Sequence, residues 1–451
     1  MSKVITDTVQ GRSKDPNVSG GLTISGITTQ TGVLLASSDV RITGNINAGI
    51  ATCSGIVNAS SDVRITGNIN AGIGTLGGVI LKDTNVVAGV STADAFIPSA
   101  GQLSNRNLII NGAMNVAQRG SSTTTVGAFL ADRWRFWGNG GTVTYTTESL
   151  SSGDPYDLGF RKFIRLTNTA NASGATNYRL LRYVPEAQDM ANSGWNYTSA
   201  SSYITLSFWI RSSIAQNFYA YIHTQDGTEK NYIIETGSLT ADTWTKITKV
   251  IPGGTGVQFD DNNNQGARID FVPFWGTDYT GTVDINEWVT YSGSTRTPDM
   301  TNTWASTNGA TFDLTGVQLE VGSAATPFEH RSYGDELARC QRYYYRVQGL
   351  SNGDDFGTGF NTNTVNCRPT IVFPVTMRSA PSALEQSGDA TDYMVAHTTA
   401  ETTCSAVPTF SGGSEYNARV VFTVASGLTA GQGSAGRAVN SDGYLGFDAE
   451  P

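Results

Sequence analysis

A stretch of fifteen residues occurs twice near the start of the chain without a single change. Residues 36–50 read ASSDVRITGNINAGI, and the same letters return 23 residues later at 59–73. Apolar and small side chains occupy alternate positions of each copy, which is the periodicity of a β-strand. A unit this small has one thin apolar face and cannot bury it alone. It must therefore stack on neighbouring repeats, on identical chains beside it, or on both.

The composition of residues 1–104 also favours a fibrous shaft over a globular domain. This part contains no Trp, no Tyr and one Phe, Phe96. We predict a β-repeat shaft over residues 21–104, preceded by a polar attachment segment at residues 1–20. Identical chains side by side would bury the apolar stripe and remove exposed strand edges, so a homo-oligomer is expected. The stripe consists of Val40, Ile42, Ile46, Ile50, Val63, Ile65, Ile69 and Ile73.

Charge and cysteine usage narrow the range of partners. The net charge of −9 and the pI near 4.9 arise after residue 104, because six basic and six acidic residues balance before it. An acidic chain argues against nucleic acid or an anionic membrane as the main partner. No run of about 18 apolar residues is present, so no membrane insertion is expected. The four scattered cysteines have no C-x-x-C pair and predict reduced thiols rather than a zinc site.

The middle of the chain predicts an all-β sandwich of the jelly-roll kind. All eight Trp residues lie between Trp134 and Trp304, which supplies a large core. Residues 203–211 and 217–223 each alternate an aliphatic face with an aromatic and polar face. Aromatic rings stack on the C–H faces of sugars, so the second face is a candidate glycan-binding surface. Packing against a sister subunit or under a long loop is the open alternative. The candidate residues are Tyr203, Trp209, Arg211, Tyr219, Tyr221 and His223.

A catalytic role is not expected. The chain has three His residues in separate segments, and no G-x-S-x-G motif precedes a helix. A glycan hydrolase needs two catalytic carboxylates, and Asp154 with Asp157 is one such pair in the sequence. The neighbouring Gly153 and Pro155 favour exposed loop residues instead. No cofactor or metal is predicted. The DDNNN segment that begins with Asp260 and Asp261 is a weak candidate for Ca²⁺, because it offers oxygen ligands but lacks the spacing of an EF-hand.

Two short segments carry local predictions. Residues 332–340 (SYGDELARC) give the clearest helix signal, with acidic residues near the start and apolar residues on one face. Residues 431–436 (GQGSAG) match a dinucleotide-binding pattern by letter, but no βαβ unit surrounds them. A flexible turn is expected there.

Several longer motifs carry a family resemblance. They are NLIINGAMN at 107–115, AQRG at 117–120, DRWRF at 132–136 and FDLTGVQLEVGSAATPFEHRSYGDELARCQRYYY at 312–345. Over roughly residues 105–345 the chain resembles the tail-fibre and appendage module of tailed bacteriophages, including those of marine cyanobacteria. The resemblance implies a virion structural protein, a carbohydrate-binding-like jelly roll that NLIING opens and VQLEVG closes, and a trimer. Residues 373–381 (FPVTMRSAP) and 444–450 (YLGFDAE) are similar to the small β-sandwich that ends many such proteins.

Together these observations predict an elongated, homotrimeric, all-β fibre. Its parts are the attachment segment 1–20, the shaft 21–104, the jelly roll 105–333 and a small C-terminal β-sandwich 334–451. The expected function is host adhesion as a phage tail fibre. The expected partners are a host cell-surface glycan or protein, with glycan binding favoured, and another virion tail protein that holds the N-terminus. The expected location is the virion tail fibre, after synthesis in the bacterial cytoplasm. The alternatives are a purely structural appendage, decoration or connector without its own ligand, and a tail-spike polysaccharide hydrolase.

Overall fold

The computed structural model describes residues 105–451, apart from Asn352 and Thr399, and five β-strands that precede them. The chain divides into two compact units, Met1–Thr92 and Ala93–Pro451. Strands are numbered β1–β26 and helices α1–α4 in chain order. The strands of the first unit are β1 (Leu22–Ile24), β2 (Thr28–Ala36), β3 (Val40–Ile42), β4 (Ile46–Cys53) and β5 (Val57–Ala59).

The five strands of the first unit pair in parallel within one chain. One sheet has the order β1-β3-β5, and β2 pairs with β4 in another. Leu22 lies opposite Val40, and Val40 lies opposite Val57. Of the predicted stripe, Val40 and Ile42 belong to β3, and Ile46 and Ile50 belong to β4. The remaining stripe residues, Val63, Ile65, Ile69 and Ile73, lie outside the described residues, and the homotrimeric shaft stays a prediction.

The second unit begins with two six-stranded sheets in which every pairing is antiparallel. The first sheet has the order β16-β13-β12-β15-β10-β7 and the second has the order β14-β11-β17-β9-β8-β6. The strands of the first sheet are β7 (Trp134–Asn139), β10 (Tyr178–Tyr183), β12 (Asn217–Thr224), β13 (Lys230–Ser238), β15 (Ala267–Trp275) and β16 (Trp288–Thr290). Those of the second are β6 (Ser122–Thr123), β8 (Thr142–Ser149), β9 (Lys162–Ala170), β11 (Tyr203–Ser212), β14 (Thr245–Pro252) and β17 (Thr311–Val321).

The inward faces of the two sheets share one hydrophobic core. The Phe208 ring on β11 meets the Phe271 ring on β15 at 4.9 Å between centroids. Phe218 on β12 and Phe312 on β17 meet in the same way at 5.3 Å. Alternation places these rings and their aliphatic neighbours inside, where burial of apolar area drives folding. The described part of the chain is predominantly β, as the sequence predicts.

The C-terminal part differs from the predicted small sandwich. Six strands form a closed barrel in the order β19-β20-β24-β23-β22-β25. The strands β18, β26 and β21 form a separate three-stranded sheet in that order. The barrel closes because β25 pairs with both β19 and β22, which leaves no free edge. The segment 431–436, which was expected to be a flexible turn, is therefore partly strand, because β25 begins at Gly433. The bounds are β18 (Tyr344–Gln348), β19 (Asp355–Asn361), β20 (Asn366–Val372), β21 (Glu385–Gln386), β22 (Tyr393–His397), β23 (Ala400–Gly413), β24 (Asn417–Val424), β25 (Gly433–Ala438) and β26 (Tyr444–Asp448).

Helices are short in the described chain. The longest is α4 (Tyr333–Gln341), where Ser332 caps the helix by accepting a hydrogen bond from the Asp335 backbone N–H at 3.2 Å. This agrees with the helix predicted at 332–340. The others are α1 (Asp154–Asp157), α2 (Ala187–Ala191), α3 (Thr303–Ser306) and a 3₁₀ turn (Ala390–Asp392). Within the described segments, no helix is long and apolar enough to span a membrane.

Buried charges connect α4 and the C-terminal strands to the sandwich. Glu186 accepts both guanidinium hydrogen bonds of Arg342 at 2.8 Å and the hydroxyl of Tyr343 at 2.6 Å. Cys340 and Tyr343 belong to the same hydrophobic core as the two sheets. Bidentate pairing of this kind adds geometric specificity to the contact. The second unit therefore packs continuously across the expected boundary at residues 333 and 334.

Candidate functional site

The outward face of the first sheet carries a dense group of aromatic and cationic side chains. On β7, Arg135 and Trp137 alternate with the core residues Trp134 and Phe136. The strands β10, β12 and β15 alternate in the same way. Leu181, Ala220 and Ile269 are examples of their inward residues, which belong to the core. Strand geometry therefore brings outward residues from four strands to one surface. They include Arg135, Trp137, Tyr178, Arg182, Tyr221, His223, Arg268 and Asp270.

Register places four of these residues in one row across the sheet. Arg135 lies opposite Arg182, Arg182 opposite Asp270, and Asp270 opposite Tyr221. The Arg182 guanidinium donates to both oxygens of Asp270 at 2.7 and 2.8 Å. In the next row, His223 lies opposite Arg268. Directly opposed side chains have Cβ atoms about 5 Å apart, so these groups interact strongly.

The segment 276–303, which includes the edge strand β16, adds three side chains to this face. Tyr291 stacks on the His223 ring at 3.7 Å with an interplanar angle of 15°. The guanidinium carbon of Arg296 lies 4.6 Å from the Trp275 ring centre and 5.1 Å from that of Tyr279. The Arg296 carbonyl accepts a hydrogen bond from the Asn231 side-chain amide at 3.0 Å. The segment is thereby fixed to the sheet by stacking, cation–π contacts and a hydrogen bond.

Between the sheet and this segment lies a cleft of about 360 Å³. Its walls are aromatic rings and long polar side chains, an arrangement typical of small-ligand sites. Among the described residues, no carboxylate side chain lines it. The lining residues are Arg135, Trp137, Tyr178, Arg182, Val184, Tyr221, His223, Gln265, Arg268, Tyr279, Tyr291, Arg296 and Pro451.

Burial and neighbouring charges change the ionisation of the cleft side chains. Burial, and next the positive charge of Arg182, lower the pKa of Arg135 and of Arg268. Burial lowers the pKa of His223, although the adjacent Glu229 at 3.0 Å opposes the shift. Burial and the Asp270 carboxylate raise the pKa of Tyr221 well above its usual value. At neutral pH the cleft therefore holds arginine cations, a neutral imidazole and a neutral phenol.

The six residues predicted to share one glycan-binding face lie on two different sheets. Tyr221 and His223 line the cleft, whereas Tyr219 is 8% exposed in an apolar cluster with Trp275 and Val272. Tyr203, Trp209 and Arg211 lie on β11 of the second sheet. Because consecutive strands of a sandwich can belong to opposite sheets, their outward faces point to opposite sides. The prediction of one common face is wrong on this point.

The second-sheet group is occupied by intramolecular contacts. Trp209 is 8% exposed and packs with Phe160 and Phe163. Arg211 pairs with Asp313 at 2.7 Å, and Arg165 donates to both oxygens of the same carboxylate. Trp209 and Arg211 therefore stabilise the fold locally, and the cleft of the first sheet is the better candidate site.

The two candidate calcium ligands, Asp260 and Asp261, accept hydrogen bonds from different side chains. The Asp261 carboxylate accepts from the Asn192 amide at 2.8 Å, and the Asp260 carboxylate accepts from the Gln258 amide at 3.2 Å. In the part of the chain that the structure describes, no group of three or more His, Cys, Asp or Glu side chains could hold a metal ion. These residues support no metal proposal.

Most of the cleft residues were not singled out from the sequence. Two signals were present: WRFWGN at 134–139 and YRLLRY at 178–183 each place aromatic and arginine residues at alternate positions. The aromatic and polar cleft residues that the sequence did not predict are Arg135, Trp137, Tyr178, Arg182, Gln265, Arg268, Tyr279, Tyr291 and Arg296.

No known family profile and no curated protein matches the chain. Among solved structures, a putative sugar binding protein from Bacteroides thetaiotaomicron covers 48% of this chain and 100% of its own, at 13% identity and a TM-score of 0.25. The CBM22-1–CBM22-2 tandem domain of Paenibacillus barcinonensis Xyn10C covers 79% of this chain and 98% of its own, at 10% identity and a TM-score of 0.25. The enzymatically active domain of bacteriophage CBA120 tailspike protein 4 covers 66% of this chain and 38% of its own, at 13% identity and a TM-score of 0.27. All three TM-scores lie below 0.5, so these likenesses do not define the function of the chain.

Proposed function

We propose that this protein binds a carbohydrate in the cleft on the outward face of its first sheet. The observation that carries the proposal is the combination of aromatic rings with fixed hydrogen-bond donors in one concave site. Tyr279 and Tyr291 are half-buried, so each leaves part of its ring open to the C–H face of a sugar beside the intramolecular contacts that it already makes. Arg135, Arg268 and Gln265 supply polar groups for hydroxyl oxygens. Sugars need both kinds of contact, because they have apolar faces and polar edges.

The proposed role is adhesion of a phage tail fibre to a glycan on the host surface. The identical repeats of residues 36–50 and 59–73 and the tail-fibre-like motifs support it. In this proposal the protein is a homotrimer in the virion, residues 1–20 dock to another tail protein, and residues 105–451 face the host. Deletion of residues 1–20 should then give trimers that adsorb to cells but are absent from assembled particles.

We further propose that the protein binds glycans without hydrolysing them. A glycosidase requires two carboxyl groups flanking the scissile bond. Two carboxylates that pair with cleft residues are each engaged, Asp270 with Arg182 and Glu229 with His223. Asp154 and Asp157 lie on α1, which packs with second-sheet residues through Tyr156. The absence of reducing-sugar release from a bound polysaccharide would support binding alone.

The direct test is a glycan-binding assay with the full chain. Affinity electrophoresis in gels that contain single polysaccharides should show retardation in at least one, and free oligosaccharide of the same polymer should reverse it. A structural appendage without a ligand would migrate at one rate in every gel. That result would end the proposal, provided that the protein has a folded circular dichroism spectrum.

A further inference from the structure

The cleft brings four arginine side chains together. Arg182 is paired with Asp270, but Arg135, Arg268 and Arg296 have no carboxylate within 4.0 Å among the described residues. Their guanidinium Nε atoms donate instead to neutral oxygens. Arg135 donates to the Gly127 carbonyl at 3.0 Å, Arg268 to the Gln265 side chain at 3.2 Å, and Arg296 to the Gly293 carbonyl at 3.1 Å.

This arrangement opposes the stability of the sheet. Arg135 lies directly opposite Arg182 on the neighbouring strand, and like charges in that position destabilise a strand pair. The more distant carboxylates of Asp448 and Glu450 favour the Arg135 cation, and those of Asp270 and Glu229 favour the Arg268 cation. These carboxylates raise the pKa of each arginine by less than burial and Arg182 together lower it. A partly buried excess of one charge is a feature of ligand sites.

Composition does not account for the excess. The whole chain has 38 acidic residues against 29 basic ones, yet four arginines and no acidic side chain line the cleft. A concave site lined by one sign of charge attracts ligands of the opposite sign. Arginine in particular matches the planar, two-oxygen geometry of carboxylate and sulfate groups.

We infer that the ligand of the cleft is an anionic carbohydrate, one whose sugar units carry carboxylate or sulfate groups that pair with Arg135, Arg268 and Arg296. This inference rests on the proposed glycan-binding function and narrows it to acidic polymers. The aromatic rings hold the sugar ring, and the arginines hold its anionic substituent.

The test compares charged polymers with neutral forms of the same backbone. Polygalacturonate, alginate and hyaluronan are each run beside their carboxyl-reduced forms, and chondroitin sulfate beside its desulfated form. Xyloglucan and galactomannan are the neutral polymers. We expect binding to at least one acidic polymer, and loss of that binding when its anionic group is removed. Loss on carboxyl reduction identifies a carboxylate ligand, and loss on desulfation identifies a sulfate ligand.

Variants connect the result to the cleft. Arg268→Gln and, separately, Arg135→Gln should weaken binding by at least about tenfold, because each removes a charge-assisted hydrogen bond. The control is Lys246→Gln, which removes one positive charge from an exposed position on the second sheet. Thermal melting identifies any variant that has lost its fold.

The outcomes separate the two proposals. Equal binding before and after neutralisation, or binding to neutral polymers alone, would overturn the anionic ligand and leave glycan binding intact. An equal loss in Lys246→Gln would place the charge dependence outside the cleft and overturn the inference. Binding to none of these polymers would count against both proposals.

Discussion

The guanidinium carbon of Arg133 lies 3.4 Å from the centre of the Tyr343 ring, and the same guanidinium pairs with the Glu450 carboxylate. Both charged side chains are almost completely buried, with 1% and 3% of their side-chain surface exposed. Burial opposes the charge on Arg133, but Glu450, Tyr343 and Tyr183 together outweigh burial and raise the pKa of the guanidinium. One ion pair thus joins the start of β7 to the end of the chain.

Replacing Glu450 by Gln should destabilise the second unit. The change leaves the Arg133 cation buried without a counter-charge, and loss of one partner of a buried pair costs about 3–5 kcal/mol. Urea unfolding followed by tryptophan fluorescence measures the effect. Glu401→Gln is the matched control, because Glu401 pairs with Arg437 at the surface and should cost less than about 1 kcal/mol. Similar unfolding midpoints for the two variants would contradict a stabilising role for the buried pair.

The contribution of Asp132 to stability should fall as the pH rises from about 4 to about 6. Burial raises the pKa of Asp132 to about 6, although Arg119 and the hydrogen bonds of Gln118 oppose the shift. The folded state therefore binds this proton more tightly than the unfolded state, and its stabilising contribution is lost as the pH passes through the folded pKa. The contribution is on the order of 3 kcal/mol.

Asp132→Asn isolates that contribution from those of other carboxyl groups. Asn does not titrate, so between about pH 4 and about pH 6 the free energy of unfolding of the variant should fall less, or rise more, than that of the wild type. Parallel curves for the two proteins would show that Asp132 has an ordinary pKa.

The ring of Tyr291 should contribute to glycan affinity more than to folding. It stacks on His223 at the cleft, so Tyr291→Ala removes one aromatic wall. Aromatic contacts are worth about 0.5–1.5 kcal/mol, which corresponds to a loss of affinity of roughly two- to thirteenfold. Isothermal titration against a bound oligosaccharide measures it. Tyr416→Ala, at a 61% exposed position near the barrel, is the control and should bind as the wild type does.

The apolar stripe of the repeats should hold an oligomer together. We expect the full chain to be a trimer in light scattering at micromolar concentration, and Ile42→Asp with Ile65→Asp to weaken it by burying charge. Thr43→Asp with Thr66→Asp places the same charges at the alternate positions of the repeat and should leave the trimer intact. A monodisperse wild-type monomer would disprove the shaft.

The sequence predicts features that depend on neighbouring residues. Alternation in 203–211 and 217–223 correctly gave strands with one face in the core, and the acidic start of 332–340 gave α4. The cleft depends on something different, the register of β7, β10, β12 and β15. Residues such as Arg135 and Arg268 meet only because these distant strands pair, and periodicity does not say which strands share a sheet. The segment 276–303 has no periodic pattern that would predict the stacking of Tyr291 on His223.

The order of strands in the second sheet has a consequence for synthesis of the protein. β17 lies between β11 and β9, so a central strand of that sheet is the last strand of the sandwich to be made. The Asn107 side chain, near the start, also receives a hydrogen bond from the backbone of Leu319 in β17. Until β17 leaves the ribosome, β9 and β11 expose unpaired edges, and long-range pairing of this kind is slow and prone to aggregation. Nascent chains that stop before residue 321 should therefore depend on chaperones, and folding of the sandwich is a late, single event in translation.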